Sequence, residues 1–145
     1  IDKIKNICKK KNISIIEDTA WGCGGYYGNK RLGTIGRMGT FSFDYAKSMT
    51  TGEGGMILFK NRKDYESASA WHDHGHENNP KKKRWEDTRK RSGFNFRMTE
   101  LQAAVGLEQL KKLEYVITSH RRNKKLIQSK IKKLNLTFRR IPKKK

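Results

Sequence analysis

Cysteine is scarce: the 145 residues hold only Cys8 and Cys23, which share no CxxC spacing. That scarcity excludes a disulfide scaffold and a cysteine-built zinc site, and it suits free or buried thiols in a reducing cytoplasm. No apolar run approaches the length of a membrane span. The basic N-terminus also lacks the apolar stretch and cleavage site of a signal peptide. A cytoplasmic protein with no membrane partner is therefore expected. There is no internal repeat, and no low-complexity segment beyond the terminal lysines. Neither end carries a boundary signal: the chain opens without Met, in mid-pattern at IDKIKNICKKKN, and stops in a basic tail, FRRIPKKK. Such a chain is expected to be a piece of something larger, of a size to bury one core.

Charge of one sign dominates, with a formal net charge of +20. A basic balance of that size first suggests nucleic acid. Its distribution argues otherwise, since residues 13–80 carry a net −1 while residues 1–12, 81–97 and 98–145 carry +4, +6 and +11. The excess falls on a leading helix, a loop and a trailing helix, where lysines form a solvated face. No basic strip interleaved with aromatics accompanies it, so no nucleic-acid partner is expected.

The hydrophobic pattern reads as α/β. Ile1, Ile4, Ile7 and Cys8 lie on one side of a helix over Ile1–Asn12, and a buried strand follows at 13–17, ending at Glu17-Asp18. Residues 22–39 hold seven of the thirteen glycines, which marks turns and close backbone approach. Short strands are expected at 39–43 and 55–59, a helix at about 63–73, and an exposed polar excursion over 74–92. Thr99 followed by Gln102 predicts a capping box that opens a long helix. Leu101, Ala104, Val105, Leu107, Leu110 and Leu113 form its expected apolar stripe, and His120–Lys133 continues it with a basic face.

Three features carry chemistry. Asp18 ends an apolar strand, where a carboxylate needs a partner. Ser42 and Lys47 straddle a strand-to-loop junction, and Thr50-Thr51-Gly52-Glu53-Gly54-Gly55 follows with hydroxyls and exposed N–H groups. An amine beside such a loop suits phosphate binding and nucleophilic chemistry, although an isolated loop lysine is more often only solvated.

Two long blocks settle more than those features do alone. IIEDTAWGCGGYYGNKRLGTIGRMGTFSFDYAKSMTTGEGGMILF and SGFNFRMTELQAAVGLEQLKKLEYVITSHRR, in that order, resemble the two signatures of the DegT/DnrJ/EryC1/StrS family of pyridoxal-phosphate sugar aminotransferases. The resemblance covers most of residues 13–122. It implies part of the large domain of a fold type I, aspartate-aminotransferase-like transferase, with a mixed, mostly parallel sheet. Residues 1–145 would lack an N-terminal part and a C-terminal small domain. It also implies pyridoxal 5′-phosphate as cofactor, a keto sugar and an amino-acid donor as substrates, and a homodimer with shared active sites. By position, Lys47 matches the lysine that bonds to the cofactor, Asp18 the acid at its ring nitrogen, and Ser42 a phosphate contact. Asn95 matches an asparagine that reaches the neighbouring subunit's cofactor. Relatives in which the lysine is replaced do different chemistry, so Lys47 favours a transaminase over a dehydratase.

One position departs from the family. Where Gln or His usually follows the aspartate by three residues and meets the cofactor's phenolic oxygen, this chain has Trp21. Its indole N–H offers a similar hydrogen bond, its ring can cover the site, and a core tryptophan is the plain alternative. The run WHDHGHE crowds His72, Asp73, His74, His76 and Glu77 but matches no closed zinc pattern, so no metal is expected. Continued as DHGHENNPKKKRWEDTR, it resembles the branch that aminates an 8-oxo octulosonate for lipopolysaccharide, with glutamate as donor. A nucleotide-linked keto sugar as acceptor, or a non-catalytic regulator on the same fold, are the alternatives.

Overall fold

The structure, a computed structural model, describes residues 1–139. The rest of the basic tail, residues 140–145, lies outside the described residues. In chain order the elements are α1 (Asp2–Lys10), β1 (Ile16–Asp18), β2 (Tyr26–Tyr27), β3 (Lys30–Arg31), β4 (Met38–Ser42), β5 (Gly55–Phe59), α2 (Arg62–His72), a 3-10 turn (Arg84–Glu86) and α3 (Glu100–Lys130).

A three-stranded mixed sheet runs in the order β1-β4-β5, with β1 parallel and β5 antiparallel to β4. Register pairs Asp18 with Thr40, and Ser42 with Gly55. The first strand forms later than its apolar run suggests. Ile13 is still tied to the end of α1 through Cys8 O, and ladder pairing starts at Ile16. The glycine-rich stretch contains a short hairpin, β2–β3, which turns through Gly28 at φ 58°, a conformation that favours glycine.

Glu17 organises the rest of that stretch. Its carboxylate accepts N–H bonds from Gly33 (2.8 Å), Ile35 (2.5 Å) and Gly36 (2.6 Å). Burial acts to raise this carboxyl, but the three N–H groups and nearby Lys60 outweigh it and hold Glu17 below the usual carboxylate range. Phe41 points to the same sheet face and fills the space beside Gly33.

Among the described residues the buried apolar ones are Ile35, Phe43, Met49, Ala70 and Ile117. The capping box of α3 is present, with Thr99 Oγ1 accepting from Gln102 N–H and the Gln102 side chain returning to Thr99 N–H. The expected apolar stripe, however, does not face this core. Leu101 is 77% exposed, and Val105, Leu107 and Leu110 are exposed too. Instead α3 meets the sheet side through Gln102, whose amide donates to Glu53 O, through Gly106 against Thr51, and through Ile117 against Gly24. Small residues let the helix approach there, and the leucines project away from the chain. Met56, Ile57 and Leu58 are exposed on both faces of β5, a pattern that suits a strand covered on both sides.

Candidate active site

At the carboxyl end of β1, Thr19 N–H still bonds Thr40 O (2.9 Å), and the chain then turns, with Gly22 N–H donating to Thr19 O (2.9 Å). That turn throws Trp21 outward, 82% exposed. Asp18 is exposed as well, with Oδ1 accepting from Ala20 N–H at 3.1 Å. Asp18 and Thr40 are register partners in a parallel pair, and Ser42 follows Thr40 by two. Side-chain alternation therefore puts Asp18, Thr40 and Ser42 on one face, opposite Glu17 and Phe41.

Beyond β4 the loop is pinned at its base. Phe43 N–H donates to Gly54 O (2.8 Å), Thr51 N–H to Phe43 O (2.9 Å), and Thr50 Oγ1 to Phe43 O (3.1 Å). Phe43 and Met49 are buried beneath it. Within the loop Ser42 Oγ accepts from Asp44 N–H (3.4 Å), Asp44 Oδ1 from Ala46 N–H (2.9 Å), and Asp44 O from Lys47 N–H (3.1 Å). This chain of turns presents Lys47 on a fixed backbone. Its Nζ lies over the Trp21 ring, 3.7 Å from the centroid. No ion pair among the described residues engages Lys47.

Asp18, Trp21, Ser42 and Lys47 thus converge on the carboxyl end of the β1–β4 pair, where ligands gather in open α/β sheets. Asn95 stands apart. It forms a bridge with Asp73, and its Oδ1 accepts from Arg97 Nε at 3.0 Å.

The excursion after α2 is exposed over most of residues 74–92, as its polarity suggests, but it is anchored at two buried points. Asp73 and His76 are each only 4% exposed. Asp73 receives two bonds of 2.6 Å from the Arg84 guanidinium, and Arg97 Nε lies 3.4 Å away. The Arg84 bonds outweigh burial and hold the Asp73 carboxyl at about 2. Arg89 Nε donates to His76 Nε2 at 3.2 Å. His76 Nδ1 lies 3.3 Å from Asp87 Oδ2 but is not aligned as a hydrogen bond. Burial acts to raise Asp87, and backbone N–H groups of Asn78, Asn79 and Thr88 together with His76 bring it below its usual range. The histidine-rich run therefore spends its groups on separate partners. No cluster of three or more His, Cys, Asp or Glu able to hold a metal occurs among the described residues.

Sequence reasoning missed Glu17 and the Trp21–Lys47 contact. The dense N–H groups of a glycine-rich turn required an acceptor, and Glu17, next to Asp18, was available. The stacking partner of Lys47 left no comparable local signal.

The sequence pattern of the DegT/DnrJ/EryC1/StrS aminotransferase family matches residues 1–145. A UDP-4-amino-4,6-dideoxy-N-acetyl-beta-L-altrosamine transaminase of Campylobacter jejuni is 33% identical over 115 residues, covering 79% of this chain and 30% of that protein. Among solved structures, a Helicobacter pylori aminotransferase of pseudoaminic acid biosynthesis is 34% identical with a TM-score of 0.73, over 79% of this chain and 30% of the other. An Escherichia coli GDP-4-keto-6-deoxy-D-mannose-3-dehydratase with bound hydrated pyridoxal phosphate is 34% identical with a TM-score of 0.80, over 90% of this chain and 37% of the other. The chain spans about 30% of the length of the curated relatives it matches. These neighbours place the mixed sheet and its helices in the α/β fold of pyridoxal-phosphate transferases.

The donor set here fits that cofactor. Among the described residues, a primary amine in no ion pair, an exposed carboxylate and a serine hydroxyl stand at one sheet end, beside a turn whose Thr51 and Gly52 N–H groups bond to Phe43 O and Thr50 Oγ1. Around Gly52 nothing lies within 4 Å of where a side chain would begin, which leaves the turn accessible to a ligand's phosphate.

Proposed function

This chain belongs to the DegT/DnrJ/EryC1/StrS aminotransferase family, whose cofactor is pyridoxal phosphate, and from that premise we propose that it forms part of the large domain of an enzyme transaminating a keto sugar. The observation that carries this reading is the placement of Lys47, in no ion pair among the described residues, at the same sheet end as Asp18 and Ser42.

When bound, the cofactor supplies an electron sink for negative charge on the carbon that bears the amine. The residues do the rest. Lys47 would hold the cofactor covalently and, as a free amine, would hold and move a proton at that carbon. Asp18 would keep a proton on the ring nitrogen. Ser42 and the following turn would hold the phosphate and so keep the ring in place. Asn95, distant from this cluster in its own chain, serves the site of a second copy in a cytoplasmic homodimer.

For the acceptor we propose an 8-oxo-3,8-dideoxy-manno-octulosonate on the route to lipopolysaccharide, with glutamate as donor. The stretch DHGHENNPKKKRWEDTR supports it, through its resemblance to that branch and through basic groups suited to an acidic sugar. A nucleotide-linked keto sugar is the second reading, favoured by the UDP- and GDP-sugars named for the relatives. The test mixes full-length protein with pyridoxal phosphate. A visible absorbance band should appear, bleach with glutamate, and return with whichever acceptor class is the substrate. Absence of the band in folded protein rejects the aminotransferase reading. Return with the nucleotide sugar alone rejects the octulosonate.

A further inference from the structure

We propose that Trp21 is a positioning residue that works through its ring face, as the resting place of the Lys47 ammonium whenever that lysine is not bonded to cofactor; this rests on the reading of Lys47 just given. A hydrogen-bonding Trp21 would use the indole N–H at the ring's edge. The contact observed is different: Lys47 Nζ sits over the face, 3.7 Å from the centroid, where the ring's electron density attracts a cation.

Both partners are built for it. The turn closed by Gly22 and Thr19 holds Trp21 clear of the core, so its face is available rather than committed to packing. The pinned loop over Phe43 and Met49 fixes the backbone from which Lys47 reaches. No carboxylate among the described residues competes for Nζ in an ion pair. An acid at this position would hold the ammonium tightly and slow its return. A glutamine would hold it less. An aromatic face holds it with an intermediate, non-directional attraction, so the side chain can leave in any direction.

The contact exists only while Lys47 is free. Capture of the cofactor's aldehyde forms one C=N bond at Nζ and releases one water, and Nζ must leave the ring for this to occur. Trp21 therefore biases the exchange toward the released, protonated lysine, which must leave the ring and give up a proton before its amine can take one from the substrate carbon.

Two readouts test this on full-length protein. The first is the spectroscopic dissociation constant for covalent capture of pyridoxal phosphate by wild type, Trp21→Phe and Trp21→Leu. Leucine removes both face and N–H, and phenylalanine removes only the N–H. An exposed cation–π contact is worth roughly a two- to fivefold change in equilibrium, so Trp21→Leu should tighten capture by about that factor. Trp21→Phe should stay within about twofold of wild type. If both variants weaken capture, the N–H is the working group and the proposal fails. If neither changes capture, it also fails. The second readout needs no cofactor. In protein labelled with 5-fluorotryptophan, the fluorine resonance missing from Trp21→Phe is assigned to Trp21 and should shift in Lys47→Met. An unmoved resonance overturns the contact itself. Wild type that captures no cofactor would sink the aminotransferase reading, and the fluorine experiment would still decide the resting contact on its own.

Discussion

The sheet end around Lys47 and the excursion from Asp73 to Asn95 hold similar kinds of side chain and treat them in opposite ways. In the excursion, polar and charged groups meet one another: Asp73 is enclosed by Arg84 and Arg97, His76 by Arg89 and Asp87, and Glu77 by Thr88 and Lys90. At the sheet end, Asp18 is exposed with one backbone N–H, and Lys47 rests on a ring face instead of a carboxylate. Groups that satisfy one another hold a structure together, and groups left reaching outward are available for a ligand.

The sharpest way to break this comparison is at Asp18. Asp18→Asn keeps an acceptor for Ala20 N–H but loses the charge that, in the proposed function, would hold a proton on the cofactor's ring. Turnover should fall by about 10²–10³-fold, the cost of removing one preorganised electrostatic group. The melting temperature should hardly move. A large loss of stability would show that Asp18 is structural.

The converse holds for Asp73. Asp73→Ala removes two charged hydrogen bonds, and unfolding in urea should show a loss of about 1.5–3 kcal/mol. The cofactor band of the folded variant should keep its position. The same carboxyl sets a pH dependence. Its value is about 2 in the folded chain against an ordinary 3.8, so its stabilising contribution is complete above 3.8 and is lost as pH falls toward 2. Wild-type stability should decline across that window more steeply than that of Asp73→Asn. Equal slopes would contradict the ion pair.

The smallest effect belongs to the cap of α3. Thr99→Ala should cost about 1 kcal/mol by thermal or urea unfolding. A larger loss would mean that the Gln102 bridge to Glu53 O fails with it.

Local patterns were legible in the sequence. The Gly55–Phe59 strand and the Thr99–Gln102 capping box stand where turn residues and capping chemistry placed them, since both depend on neighbours within a few positions. The late start of β1 was not legible, because Ile13 is apolar whether it belongs to a strand or to the exit from α1. The direction of the α3 stripe was hidden for a related reason. Periodicity reports that a helix has two faces, not which neighbour each meets, and here Gly106 and Ile117 make the contact. The excursion is mostly exposed, as expected, but its anchoring contacts at Asp73 and His76 were hidden, because a polar segment has one composition whether its groups meet water or each other. Asp18, Ser42 and Lys47 were singled out through their motif, and the fold sets them at one sheet end. The pairing of Lys47 with Trp21 spans the whole β1-to-β4 crossover, and only the fold brings the two together.

The central claim is that Lys47 is the cofactor's lysine. Its most direct test is borohydride reduction of the full-length protein loaded with pyridoxal phosphate, followed by peptide mass mapping, beside Lys47→Ala. The account predicts the reduced cofactor's mass on the peptide containing Lys47, and none on any lysine of the variant. Label on another lysine, retained in Lys47→Ala, would contradict it.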